Sequence, residues 1–202
     1  MAKNEIQTPS RRPLTPKGAA TRMALLEAAQ EVFKDQGYYS TSVSEITRRA
    51  GVSMGTYYQY FKNKEELFLE LNHFIIGRFW ERAKALPRNP NDPGKNLSQV
   101  VQLLFDHISE YLYFHRLLGE FELIDSITIP YYNSIAGFLK NFFRREARLG
   151  SIQPFNPEMM AYGCIGMVYF QVLDWGPKAP AYPPAQILSL TLDLLLHGIS
   201  GP

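Results

Sequence analysis

Apolar residues recur along this chain at helical spacing, with no strand-like alternation longer than a few residues and no internal repeat. Leu25, Ala29, Val32 and Phe33 trace one stripe of a helix predicted over 18–36. Ser42 with Glu45 three residues later is a capping-box signature, so a second helix begins there. Val43, Ile46 and Ala50 form its buried face, while Arg48 and Arg49 lie off it. Gly51 suits the left-handed residue that ends such a helix. Val52 plugs the angle that follows, and Ser53 caps a third short helix carrying Thr56, Tyr57, Tyr58, Gln59 and Tyr60. Lys64 opens a fourth helix running to about Lys84, with Leu67, Leu71, Phe74, Ile75 and Phe79 on one face.

The segment PRNPNDPGKN at 87–96 is dense in turn formers and interrupts the pattern. Beyond it, Leu97, Val101, Leu104, Ile108, Tyr111 and Leu112 mark another helix, and a shorter one is predicted near 115–125. Pro130 restarts the periodicity through Leu149, and residues 150–157 break it. Two last helices are predicted near 157–174 and 184–199, divided by WGPKAPAYPP. The fold class is all-α.

Two short helices joined at a steep angle by a glycine turn predict a helix-turn-helix, whose second helix can enter the DNA major groove. The surrounding residues sharpen this. The run of Thr21, Arg22, Leu25, Leu26, Ala28, Ala29, Val32, Phe33, Gly37, Tyr38 and Thr41 to Val43 continues through Ile46 and Ala50 to Ser53. It ends with Gly55, Thr56, Tyr58, Tyr60, Phe61 and Asn63 to Phe68. In this order the residues resemble the tetracycline-repressor (TetR) family of transcription regulators. Tyr57 departs from the pattern, standing where the family usually has an aliphatic residue. Leu149 to Pro154 is similar to the family's usual turn before its last helix pair; elsewhere past residue 80 the likeness is one of architecture.

Residues 1–17, with Pro9, Pro13 and Pro16 beside Arg11, Arg12 and Lys17, read as a disordered basic arm. The resemblance implies an N-terminal three-helix DNA-binding domain over 18–64 and a helical ligand-binding and dimerisation domain over 65–202. It implies a homodimeric, ligand-responsive repressor, released by a small-molecule effector from a pseudo-palindromic operator in double-stranded DNA. A ligand-independent DNA binder or adaptor with the same fold, or an activator, remains the alternative.

Charge agrees with that division. Residues 1–64 hold ten Lys/Arg against five Asp/Glu, and the remainder eleven against fourteen, so a basic end adjoins an acidic body. The single Cys164 excludes an intrachain disulfide and fits a reducing compartment. Residues 1–20 lack an apolar stretch of the secretory kind, and the apolar segment 187–196 is too short to span a bilayer, so a cytoplasmic location without membrane contact is expected. His73, His107, His115 and His197 are scattered, and no GxGxxG, P-loop, GxSxG or HExxH element is present. No enzyme, metal site or cofactor is expected.

On the DNA side, Ser53, Met54, Thr56, Tyr57 and Gln59 are the candidates for base contact, with Gln59 suited to adenine and Met54 to a thymine methyl. Gly55 allows either close approach to the sugar-phosphate wall or helix packing. Tyr58, Tyr60 and Lys64 match family positions that commonly contact phosphate, and Arg22, Thr41 and Ser42 serve on the opposite strand. Arg48 and Arg49 either join them or solvate a face. In the body, Trp80, Phe105, Tyr111, Phe121, Tyr131, Phe138, Tyr162 and Tyr169 are candidate pocket walls, and His107, Glu122 and Gln171 candidate polar anchors for an aromatic or apolar effector. Ala161, Gly163, Cys164 and Gly166 are small enough for close helix approach. With Leu188, Leu192, Leu195, Leu196 and Ile199 they make the candidate dimer surface.

Overall fold

The computed structural model describes residues 15–120, 127–152, 156–172 and 184–197. Among these the chain is helical, with no strand, as the spacing predicts. The helices are α1 (Pro16–Ser40), α2 (Val43–Ala50), α3 (Met54–Tyr60), α4 (Lys64–Ala85), α5 (Pro93–Glu110), α6 (Leu112–Glu120), α7 (Ile129–Arg148), α8 (Pro157–Phe170) and α9 (Pro184–His197).

Their beginnings follow local chemistry. Thr15, Ser42, Ser53, Asp92 and Asn156 each accept a backbone N–H of the first turn, satisfying donors that the helix itself leaves open. Proline at the first turn of α1, α5, α7 and α8 removes a further orphan donor. Near its C-terminus α1 is kinked at Gly37, whose φ of 79° favours glycine. None of the described helices is long and apolar enough to cross a membrane.

The described residues fall into two compact units that divide between Phe74 and Ile75, within α4. In the first, Leu25, Leu26, Ala29, Val32 and Phe33 of α1 are buried together with Ile46, Tyr57, Phe61, Leu67, Phe68 and Leu71. Rings of Phe33, Tyr38 and Phe68 meet edge-on or tilted at 5.2–5.7 Å. In the second, α7 packs on α8, and α5 packs on α8 and α9. Its core includes Phe79, Val101, Leu104, Ile108, Phe114, Leu118, Tyr131, Ile135, Leu139, Phe143 and Val168. Cys164 is buried there, and burial pushes its thiol up to about 12, so it stays protonated and unreactive near neutral pH.

Candidate functional site

The turn between α2 and α3 is fixed by the backbone. Gly51 adopts φ 67°, ψ 29°, and its N–H donates to the Arg48 carbonyl, while Val52 N–H donates to Thr47 O at 3.0 Å. Ser53 Oγ accepts Thr56 N–H at 3.1 Å and so starts α3 immediately. Buried Thr47 joins the two helices: its hydroxyl donates to Ser44 O at 2.9 Å and also lies 3.5 Å from Met54 Sδ. Arg49 reaches back to Glu31 and Asp35 of α1 at 2.7 and 3.3 Å, which assigns it to bracing α2 on α1. Arg48 remains exposed.

This bracing leaves one side of α3 open. Met54 is 41% and Tyr58 48% exposed, and the pair lies one helical turn apart. Gly55 and Gln59, the next such pair, are exposed as well, as are Ser42 and Ser53; Thr56 and Tyr60 are partly covered. A Cβ placed on Gly55 would meet only Ser53 Oγ, at 3.7 Å. Helix packing therefore does not require glycine there.

Four expected DNA contacts are placed otherwise. Tyr57 is fully buried, its ring 5.7 Å from that of Phe61 and its hydroxyl donating to Asn63 O at 3.0 Å. It fills the core position in which an aliphatic residue was expected, and the expectation of base contact is corrected. Thr41 is buried too, donating to Gly37 O at 2.6 Å across the kink of α1. Arg22 forms an ion pair with Glu70 of α4 inside the first unit and lies 5.7 Å from the Phe61 ring centroid. Lys64 donates to Tyr38 O at 2.6 Å and Thr41 O at 2.7 Å, with its ammonium 4.2 Å from the Tyr38 ring centroid. Two of its three donors thus close the end of α1, and Lys64 is a clip between α1 and α4. Burial pulls its pKa down.

The second unit holds a buried polar chain. His107 Nε2 lies 2.7 Å from Tyr131 Oη, which lies 3.5 Å from His115 Nε2; His115 Nδ1 lies 2.9 Å from Tyr132 Oη. The Tyr169 ring packs against both His115 and Tyr132 at 5.9 and 5.7 Å. Burial pushes the His107 pKa down to about 4, helped by Arg82, and that of His115 down to about 3, helped by His107. Both imidazoles are neutral at neutral pH. Placing the His107 proton on Nε2 lets it donate to Tyr131 and leaves only an acceptor, Nδ1, buried without a partner among the described residues. The Tyr113 hydroxyl is likewise buried without one.

His107, Tyr131 and Tyr169 were expected in this region. His115 and Tyr132 were not, although the spacing His107–Tyr111–His115 already places three polar-capable rings on one helical face. Phe105 and Tyr111 are buried. Trp80 donates from Nε1 to Ser134 Oγ at 2.9 Å and packs edge-on against Phe138. Gln171 accepts from Thr191 of α9. Tyr162 is corrected from pocket wall to surface: it is exposed, bonded to Asn133 and covered by Lys140. Phe121 and Glu122 lie outside the described residues.

On α8, Met159, Tyr162, Gly163 and Phe170 are exposed and Gly166 half-buried, one stripe at helical spacing. Ala161 and Cys164 face the interior, which corrects their expected place on the dimer surface. On α9, Ile187 and Thr191 face inward, and Leu188, Leu192 and Leu195 are half-buried. The side chain of Leu196, and Ile199 altogether, lie outside the described residues.

A braced helix-turn-helix with one open recognition face, followed by a separate helical unit, defines a DNA-binding regulator. The pattern of bacterial regulatory proteins of the tetR family matches residues 25–71. The fatty acid metabolism regulator protein of Bacillus subtilis (strain 168) is 28% identical over 189 residues, covering 88% of this chain and 94% of its own. The fatty acid degradation regulator FadR from Bacillus halodurans matches in structure with a TM-score of 0.78 at 22% identity, over 95% of this chain and 100% of the other. FadR from Bacillus subtilis in complex with stearoyl-CoA gives 0.71 at 24%, over 88% and 99%. At these identities the structural likeness establishes the fold. Residues 25–71 thus carry the pattern of the tetR family of bacterial regulatory proteins, and along most of its length the chain is similar to a transcription regulator of that kind.

Proposed function

We propose that this protein is a homodimeric repressor that leaves a pseudo-palindromic operator when its body binds a fatty acyl thioester of coenzyme A. The open face of α3 carries the DNA half of the reading: Met54 and Gln59 at base edges, Tyr58 and Tyr60 toward phosphates. Two copies meet through the exposed stripe of α8 and the leucines of α9, and so present two such faces to related half-sites. The relatives named for fatty acid metabolism, and the neighbour holding stearoyl-CoA, support the effector class. Beside the chain His107–Tyr131–His115–Tyr132, the Tyr113 hydroxyl, buried without a partner among the described residues, supplies a neutral donor of the kind that recognition of an uncharged carbonyl requires.

Release is a population shift. Effector binds better to a form in which α4 has moved, and the Lys64 clip carries that displacement into the end of α1 beside the helix-turn-helix. The test is selection of genomic DNA by the purified protein, footprinting of the winner, and titration with palmitoyl-CoA. A protected palindrome, weakened in Tyr58→Ala and released by palmitoyl-CoA, is expected. Protection that persists at saturating palmitoyl-CoA refutes the effector assignment. Sequence-indifferent binding that vanishes with salt refutes the operator.

A further inference from the structure

Within the unit formed by residues 75 onward, the loop after α4, the start of α5 and one side of α7 enclose a cleft of about 280 Å³. Its lining carries two guanidinium groups, Arg88 and Arg145, and no carboxylate. That is unexpected on a body where carboxylates outnumber basic residues. Phe138 and Phe142 form an apolar wall, and Gln99 and Asn141 add amide groups.

The loop that carries Arg88 and the guanidinium of Arg145 are each fixed by neighbours. Buried Asn96 accepts Asn89 N–H at 2.8 Å and donates to Asn89 O at 3.0 Å, which fixes the loop carrying Arg88. Arg88 itself has no ion pair or hydrogen bond among the described residues. Arg145 donates from Nε and Nη2 to one oxygen of buried Glu146, at 3.0 and 2.9 Å, and its guanidinium lies 5.4 Å from the Phe142 ring centroid. Its Nη1 has no partner among the described residues. The unpaired Arg88 fork and the remaining Nη1 of Arg145, beside an aromatic wall, match phosphate oxygens next to a flat or apolar group. The volume lies near the lower bound for small-molecule pockets, so the cleft takes one end of a large ligand rather than the whole.

We propose that this cleft seats the phosphorylated nucleotide end of a coenzyme A thioester, with Arg88 and Arg145 on its phosphates and Phe138 and Phe142 against its adenine. The inference rests on the reading of an acyl-CoA effector and assigns the end of that effector remote from the acyl chain.

Calorimetric titration of the full chain with free coenzyme A, palmitoyl-CoA and palmitate tests it, in wild type, Arg88→Glu and Arg145→Lys. Free coenzyme A is expected to bind wild type and to lose affinity by roughly 10- to 100-fold in Arg88→Glu, the loss of one charge-assisted contact. Arg145→Lys, which keeps the charge facing Glu146, should lose less, and palmitate should bind both variants as it binds wild type. No binding of free coenzyme A, or equal binding by wild type and Arg88→Glu, overturns the cleft assignment. Equal dependence of palmitate on Arg88 overturns it too, because the cleft would then read a carboxylate. Operator release by palmitoyl-CoA is scored separately. Its failure beside Arg88-dependent binding of coenzyme A refutes the repressor mechanism and leaves the cleft standing.

Discussion

Acidification from pH 7.5 to 5.5 should destabilise the second unit through two side chains. His107 and His115 have folded-state pKa values pushed down to about 4 and about 3, from an ordinary 6.5. Both stay neutral in the folded protein across this range, while in the unfolded chain each takes up a proton below 6.5. The unfolded state therefore binds more protons, and stability falls as pH drops below 6.5, down to the folded values. Above 6.5 the contribution is fully present. One unit below the unfolded pKa costs about 1.4 kcal/mol per group, so the pair should cost about 3 kcal/mol at pH 5.5. Ordinary carboxylates titrate below this window and leave it clear. Trp80 and Trp175 both lie beyond residue 74, so urea unfolding followed by tryptophan fluorescence reports this unit. His107→Gln and His115→Gln keep hydrogen-bonding groups but do not titrate; each should remove about half of the pH effect, and the double variant nearly all. A wild type that loses no more stability than the double variant between these pH values would refute the account.

Gly51→Val should lower the melting temperature of the first unit and cost about 1–2 kcal/mol, because φ 67° brings a Cβ against the backbone; Gly51→Asn should cost less. Lys64→Met should destabilise that unit by about 2–4 kcal/mol through loss of its two carbonyl contacts, as thermal unfolding would register. The salt slope of operator binding should stay unchanged in the same variant; a slope smaller by about one would show that the ammonium neutralises a phosphate instead. Met159→Lys with Phe170→Lys should shift the dimer toward monomer in sedimentation, since these side chains are 74% and 65% exposed on the stripe of α8.

The helices were legible because their signals are local. Ser42, Gly51 and Ser53 mark ends through bonds spanning three to five residues, and the structure places these caps where the spacing puts them. The open pair Met54 and Tyr58 follows from the same periodicity. What the spacing could not reveal depends on partners distant in sequence. Lys64 is drawn to carbonyls 23 and 26 residues earlier, and Arg22 to Glu70, so both turn inward from the side where a helix wheel alone would leave them. Tyr57 is informative in another way. Its aromatic ring reads as surface chemistry, yet its hydroxyl finds Asn63 O and the ring completes the core. The Arg88 and Arg145 cleft joins residues 57 positions apart, and neither arginine sits in a local motif.

Effector and operator can oppose each other only by the effector's difference in affinity for the two forms of the protein. A hundredfold release needs about 2.7 kcal/mol of such difference. Orphaned buried groups are one place to find it, because each unsatisfied hydroxyl or ring nitrogen costs about 1–3 kcal/mol until something bonds to it. Among the described residues, His107 Nδ1 and the Tyr113 hydroxyl are such groups in the second unit. Tyr113→Phe removes the orphan donor while preserving the ring, and is expected to stabilise the ligand-free protein by about 1 kcal/mol. If the effector satisfies this hydroxyl in the released form alone, the same variant should raise the palmitoyl-CoA concentration needed to free the operator by roughly tenfold. Ligand-free stability should then rise and release weaken together, a pairing that simple loss of packing does not produce. Stabilisation with an unchanged release curve would place the hydroxyl outside the coupling and leave His107 as the group to test.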